Sequence, residues 1–222
     1  MAGIQDFCVF EDDFLGGGTF STAGQGVPWA IADTSAAGTP TYAVVTPSAV
    51  GEVALTLAST SEVENVCLSF GDKLCFDIDN LQRFETRLKV TGCTTGTTIS
   101  WGLGSARNDT PASMTALALF TMTGATSTTA VTVETDDNVT DTAPVTSGQT
   151  LATAYKKFVI DFTGGTNNVK FYIDGIRVAA STTFLMGGYT GSLQPFFQIQ
   201  KAANTNVDAI TIDYVKLIAK RI

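Results

Sequence analysis

Apolar and polar residues alternate with a period of two along most of this chain, and the three-to-four spacing of a helix is nearly absent. The run Arg83-Phe84-Glu85-Thr86-Arg87-Leu88-Lys89-Val90 is the clearest case. Phe84, Leu88 and Val90 fall on one side and Arg83, Glu85, Arg87 and Lys89 on the other, so the pattern predicts a strand with one buried and one wet face. Further strands are predicted over residues 51–58, 62–70, 97–103, 130–135, 156–162 and 169–174. Asp174-Gly175 stands between the apolar runs Phe171-Tyr172-Ile173 and Ile176-Arg177-Val178, which predicts a two-residue hairpin with both turn residues at positive φ. Residues 193–201 and 209–217 read as two more strands, with Pro195 expected at a strand start, edge or bulge because it has no N–H to donate.

Two stretches are less regular. Residues 107–151 are rich in Thr and Asp and read as long loops, with a helical turn at 111–117 after the cap candidates Asp109 and Thr110. Loops on a rigid scaffold commonly carry recognition, so a functional surface is expected there. Residues 1–30 read as an edge strand or as an arm that grips a neighbour, and residues 31–222 as the domain proper. Glu11, Asp12, Asp13, Phe14 and Leu15 are the partner-binding candidates of that arm.

Composition narrows the function classes. Of the 222 residues 44% are hydrophobic and 15% charged, enough apolar material to close a core. A net charge of −8 argues against nucleic acid and anionic membranes as partners, because both draw on clustered Lys and Arg. No window approaches the roughly 18 apolar residues of a spanning helix. Met1 to Asp6 lacks the basic and apolar regions of a secretory signal, so Cys8, Cys67, Cys75 and Cys93 are expected to be free, mostly buried thiols in a reducing compartment.

The chain has no histidine, the usual base of Ser and Cys hydrolases and the commonest zinc ligand. Carboxylates remain. Glycosidases of sandwich folds carry a Glu-x-Asp-x(x)-Glu pattern on one strand face; Glu134-Thr135-Asp136 begins it, but Asn138 and Val139 stand where the third carboxylate belongs. On this ground the chain is expected to lack catalytic activity. Asp136, Asp137, Asn138 and Asp141 could offer hard oxygen ligands to calcium, although Asp and Asn cluster equally well in turns, and no cofactor is the favoured reading. The aromatic residues Trp29, Trp101, Tyr155, Tyr172, Tyr189 and Tyr214 could stack on sugars if exposed; the spacing Ile99, Trp101, Leu103 instead places Trp101 in the core.

The Phe171–Val178 hairpin, preceded by Lys157-Phe158-Val159-Ile160-Asp161-Phe162, resembles the concanavalin A-like (laminin G-like) family, which implies an all-β, antiparallel jelly-roll β-sandwich. Together with Glu11-Asp12-Asp13-Phe14, Arg83-Phe84-Glu85-Thr86-Arg87, Gly102-Leu103-Gly104-Ser105, Leu193-Gln194-Pro195-Phe196-Phe197 and Ile210-Thr211-Ile212-Asp213-Tyr214-Val215, the wider sequence is similar to tailed-phage virion proteins of that fold. The resemblance implies a capsid decoration (cement) protein on the virion surface, assembled in the host cytoplasm. Its implied partners are the major capsid protein and its own copies, as a homo-oligomer such as a trimer. The alternative it implies is a carbohydrate-binding adsorption module that meets a host glycan.

Overall fold

The computed structural model describes residues 7–15, 28–124, 130–151 and 153–221. Its strands are β1 (Phe7–Asp12), β2 (Ala30–Asp33), β3 (Thr41–Val44), β4 (Val53–Thr56), β5 (Glu62–Ser69), β6 (Phe76–Asp77), β7 (Leu81–Thr91) and β8 (Thr97–Gly104). A 3-10 turn at Pro111–Ser113 follows, then β9 (Leu117–Thr123), β10 (Ala130–Asp136), β11 (Asp141–Thr150), β12 (Lys156–Asp161), β13 (Lys170–Ile173), β14 (Ile176–Val178), β15 (Ser192–Asn204) and β16 (Ala209–Lys220). They form two antiparallel sheets, the jelly-roll sandwich expected from the sequence. The first runs β14-β13-β12-β7-β16-β4-β3 with β1 beside the end of β16; the second runs β11-β10-β9-β8-β15-β5-β2 with β6 beside the start of β15.

Alternation within each strand makes the core. From the first sheet Phe84, Phe158, Phe171 and Leu217 point inward, and from the second Trp101, Phe120, Phe197 and Ile199; all are fully buried. Their rings meet across the gap: Trp101 to Phe158 at 4.9 Å, Phe120 to Phe158 at 5.1 Å and Phe120 to Phe171 at 5.2 Å, each edge to face. This geometry sets the positive ring edge of one aromatic on the negative face of another.

The predicted turn is observed, with Asp174 at φ 50° and Gly175 at φ 80°, and the β13–β14 pair aligns Ile173 with Ile176. Pro195 sits where β15 changes partners on one side, from β6 at Ser192 and Leu193 to β5 from Phe196 onward, so the missing N–H breaks no pairing there.

Two expectations change. Residues 107–151 are not mainly loop: β9, β10 and β11 fill most of the stretch, and the helical turn shrinks to Pro111–Ser113 with no side-chain cap bond from Thr110. β9 is apolar on both faces, with Leu117 and Leu119 packed under the β8–β9 loop, and β11 is polar and mostly exposed, so neither shows the in–out alternation of a half-buried strand. The first strand lies in the first sheet, with Phe7 to Asp12 paired against Lys220 to Val215, which is the edge-strand form rather than a departing arm. Here Asp12 accepts hydrogen bonds from the Phe14 N–H at 2.8 Å and from Trp29 Nε1 at 2.7 Å, and Phe14 is buried against Trp29. Glu11 pairs with Lys216 at 2.8 Å, and Asp13 accepts from the Leu15 N–H. Of the five candidates, Asp12 and Phe14 are spent inside the fold and Leu15 stays exposed. Residues 1–6 and 16–27 of the proposed arm lie outside the described residues.

One buried cation ties the second sheet to its neighbouring loops. Lys201, fully enclosed, donates from Nζ to the carbonyls of Ala58 (2.5 Å), Thr60 (2.8 Å) and Asn204 (2.9 Å), and lies 3.6 Å from the equally buried Glu64 carboxylate. Glu64 in turn accepts from the Ala58 N–H and the Thr60 hydroxyl. Removing one member of such a pair leaves an uncompensated charge in a dry site. We expect Lys201→Met to lower stability by about 3–5 kcal/mol, read as a fall in the urea midpoint at unchanged slope.

Candidate functional site

The outer face of the second sheet differs from an ordinary solvated face. Cross-strand register sets its outward residues in rows. One row runs Thr132, Thr121, Ser100, Gln198, Cys67; the next Glu134, Leu119, Gly102, Phe196, Ser69; a third Asp136, Leu117, Gly104, Gln194. Side chains in a row are neighbours across the strands.

The loop between β8 and β9 folds down onto this face. Met114 packs with Leu117, Leu119, Phe196 and Cys67 in a second apolar cluster outside the main core. Gly104 makes room for it, since a Cβ there would lie 2.7 Å from the Met114 sulfur. Asp109 is the polar pin. Its backbone carbonyl accepts from Gln198 Nε2 at 2.8 Å, and its carboxylate accepts from Thr34 Oγ1 at 2.7 Å, from Asn65 Nδ2 at 3.1 Å and from the Arg107 guanidinium. Burial alone would raise this carboxyl, but the bonds from Arg107 and Thr34 outweigh it and hold the pKa below the ordinary aspartate value.

Beside the pinned loop an open groove of about 320 Å³ remains. Its lining includes Asn65, Thr98, Asp109, Thr110 and Gln200, a set of amides, hydroxyls and a carboxylate. Two amide oxygens in this neighbourhood, Asn65 Oδ1 and Gln198 Oε1, are buried and have no hydrogen-bond partner in the chain. Buried acceptors of this kind are uncommon.

A second feature lies toward the other edge of the face. Glu134 is mostly buried, accepts from the Thr121 hydroxyl at 3.3 Å, and through Thr121 connects to Ser100 at 3.1 Å. Burial pushes its pKa up; the Thr121 bond pulls it back, and the charges of Asp141 and Asp136 add to the rise. The linear motif lacked a third carboxylate after Asp136, but the hairpin supplies one: Asp141 on β11 pairs directly with Asp136 on β10. That cross-strand neighbour could be read only from the β10–β11 register, which the sequence left hidden in a presumed loop.

The calcium candidates sit on the same hairpin and are largely occupied. Asp137 is buried and accepts from the N–H groups of Thr140 (2.6 Å) and Val139 (3.0 Å) with one oxygen and of Gly188 (2.7 Å) with the other. Burial acts to raise its pKa, yet these donors prevail and lower it. Asp136 accepts from the N–H of Asn138, which adopts φ 68° in the turn. Asp137 thus staples the hairpin to the loop at Gly188. Among the described residues no three acidic or Cys side chains gather in a metal-like group.

The aromatic candidates are elsewhere. Trp29 and Trp101 are core. Tyr155 and Tyr214 belong to the opposite sheet's outer surroundings, where Tyr155 donates to Glu52 and carries Arg87 and Lys89 over its ring at 4.5 and 4.6 Å, and Tyr214 donates to Glu85 at 2.6 Å. The Tyr155 ring face and both hydroxyls are engaged, and the groove lining is polar rather than aromatic.

No family model matches the chain, and no curated protein matches it. Solved structures do share its fold. A glycoside hydrolase family 16 endo-glucanase from Bacteroides ovatus superposes with a TM-score of 0.65 at 13% identity, over 94% of this chain and 99% of that one. A β-glucanase from Bacillus licheniformis gives 0.62 at 16% identity over 94% and 97%. The carbohydrate recognition domain of Emp47p gives 0.57 at 12% identity over 88% and 89%. At such identities the likeness shows the fold, a concanavalin A-like jelly roll, whose neighbours are glycan-active and carbohydrate-binding proteins.

These neighbours correct the expectation that the chain lacks catalytic activity, since hydrolases stand among the proteins most similar to it in structure. The expectation rested on the missing histidine and the broken carboxylate pattern. Glycoside hydrolysis by paired carboxyls needs no histidine, and Asp141 is the cross-strand partner of Asp136. None of the three neighbours described is a virion protein.

The Glu134 shift has a consequence for stability. In acid both folded and unfolded chains hold the proton. As pH rises past the ordinary glutamate value the unfolded chain releases it first, so the folded state loses stability until Glu134 itself ionises. Relative to wild type, Glu134→Gln should therefore gain stability progressively above that value, seen as diverging thermal midpoints between pH 4 and pH 8.

Proposed function

We propose that the protein is a carbohydrate-binding jelly-roll domain that takes a glycan in the groove beside the pinned β8–β9 loop. The observation that carries this reading is the groove itself: Asn65, Thr98, Asp109, Thr110 and Gln200 converge on one face of the sheet. A hydroxyl-rich ligand both donates and accepts, and amides and carboxylates match it pairwise. A sheet floor also holds such groups in place at little entropic cost. The glycan-directed character of the neighbouring folds supports the same reading. The resemblance of the sequence motifs to virion proteins makes a particle surface the proposed setting, with the domain acting in adsorption. Capsid cementing has only that resemblance behind it, and no feature of the structure favours it over glycan recognition.

A second reading rests on Glu134. A carboxyl driven toward its protonated form beside carboxylates at Asp136 and Asp141 is the division of labour that glycoside hydrolysis uses: one group donates a proton to the leaving oxygen while another, ionised, attacks or stabilises the sugar.

One set of experiments separates the two. A glycan array followed by calorimetry should find a binding oligosaccharide, and Gln200→Ala or Thr98→Ala should each weaken it about 2- to 10-fold, the worth of one hydrogen bond. Absence of binding to every glycan would remove the first reading. If the bound glycan also yields reducing ends, and Glu134→Gln abolishes their release while still binding, the hydrolytic reading stands.

A further inference from the structure

The four cysteines divide into two unlike pairs. Cys67 and Cys93 are buried, and burial pushes both thiols up to about 12, so neither supplies thiolate near neutral pH. Cys8 and Cys75 are exposed and free. Though far apart in the chain, one in β1 and the other just before β6, they line the same apolar cavity of about 460 Å³, together with Val9, Phe10, Phe70 and Phe76. Burial first, and then the charge of Cys8, push the Cys75 thiol up. The sequence-based expectation of mostly buried thiols therefore holds for one pair only.

The setting favours closure of a bond between them. Among the described residues β1 is flanked by β16 alone, and its residues Phe7, Cys8 and Val9 are exposed. An edge strand held on one side can adjust by the small shifts that disulfide geometry requires, whereas a strand inside a sheet cannot.

We propose that Cys8 and Cys75 form a redox modification site, a dithiol that low-molecular-weight disulfides convert to an intramolecular disulfide clasping β1 to the loop before β6. With glutathione disulfide as oxidant, one protein thiolate attacks a glutathione sulfur, forming a mixed disulfide and releasing one glutathione thiolate. The second protein thiolate then attacks the protein sulfur of that mixed disulfide and expels the second glutathione. The protein loses two protons and two electrons, and glutathione disulfide takes them up to become two glutathiones. The clasp ties an edge strand, paired on one side only, to the body of the domain across a long loop, which restricts the unfolded chain far more than the folded one.

The test uses the full chain. With the native reduced protein, Ellman's reagent should titrate two thiols, and two more only after denaturation. Treatment with glutathione disulfide should lower the intact mass by two hydrogens, leave no native reactive thiol and raise the thermal midpoint by several degrees, faster at pH 8.5 than at pH 7 as the thiolate fraction grows. Cys8→Ser and Cys75→Ser should each keep the wild-type circular dichroism, stop at a single persistent glutathione adduct and show no rise in midpoint. Two stable glutathione adducts on the wild-type chain, a disulfide-linked dimer on a non-reducing gel, or an unchanged mass would each overturn the proposal.

Discussion

The edge-to-face aromatic contact between the two sheets is the interaction on which the rest depends. Trp101 and Phe120 from one sheet interlock with Phe158 and Phe171 from the other at ring distances near 5 Å, and every one of these rings is fully buried. Fixing them fixes the register of β8, β9, β12 and β13. Because side chains alternate along a strand, a register that sends Trp101 inward must send Ser100 and Gly102 outward. The functional face is thus a by-product of the core: the outward rows of Ser100, Thr121, Glu134 and Gln198 exist where they do because their neighbours pack inside.

That outer face is then finished by a loop rather than by strands. Met114 brings a small apolar cluster to the outside of the sheet, and Asp109 holds the loop down by bonds to Thr34, Asn65 and Gln198. The loop covers part of the face and leaves the polar groove at its margin. Covering and exposing are therefore one decision, made by Asp109 and its donors. On the same sheet, the enclosed Lys201 satisfies the carbonyls of Ala58, Thr60 and Asn204, which would otherwise be orphaned.

The carboxylates show why a linear motif is a poor guide to a sheet. Read along the chain, Glu134 and Asp136 lack their third member. Read across the hairpin, Asp141 faces Asp136 and is felt by Glu134. Neighbours on a strand are two residues apart, but neighbours in a sheet are set by register, and the β10–β11 register carries bulges that no simple alternation foretells. The same limit hid the Cys8 and Cys75 neighbourhood, which depends on where β1 docks. By contrast Asp137, flagged as a turn residue or a ligand, acts as a turn residue whose second oxygen reaches Gly188, a contact only the folded chain makes.

What the sequence determined alone was local and periodic. The β7 alternation, the Asp174-Gly175 turn, the burial of Trp101 and the dominance of strands follow from side-chain size, polarity and the tolerance of Asp and Gly for positive φ, none of which needs a distant partner. Tertiary structure alone decided which strands became neighbours: that β9 and β11 flank the predicted β10 where loop was expected, that β1 joins β16, that the β8–β9 loop lies on the second sheet, and that Asp141 faces Asp136. The reason is physical. A strand's pattern states which side faces inward, but its partner is chosen by the packing of the whole core, and function on this fold lies between partners.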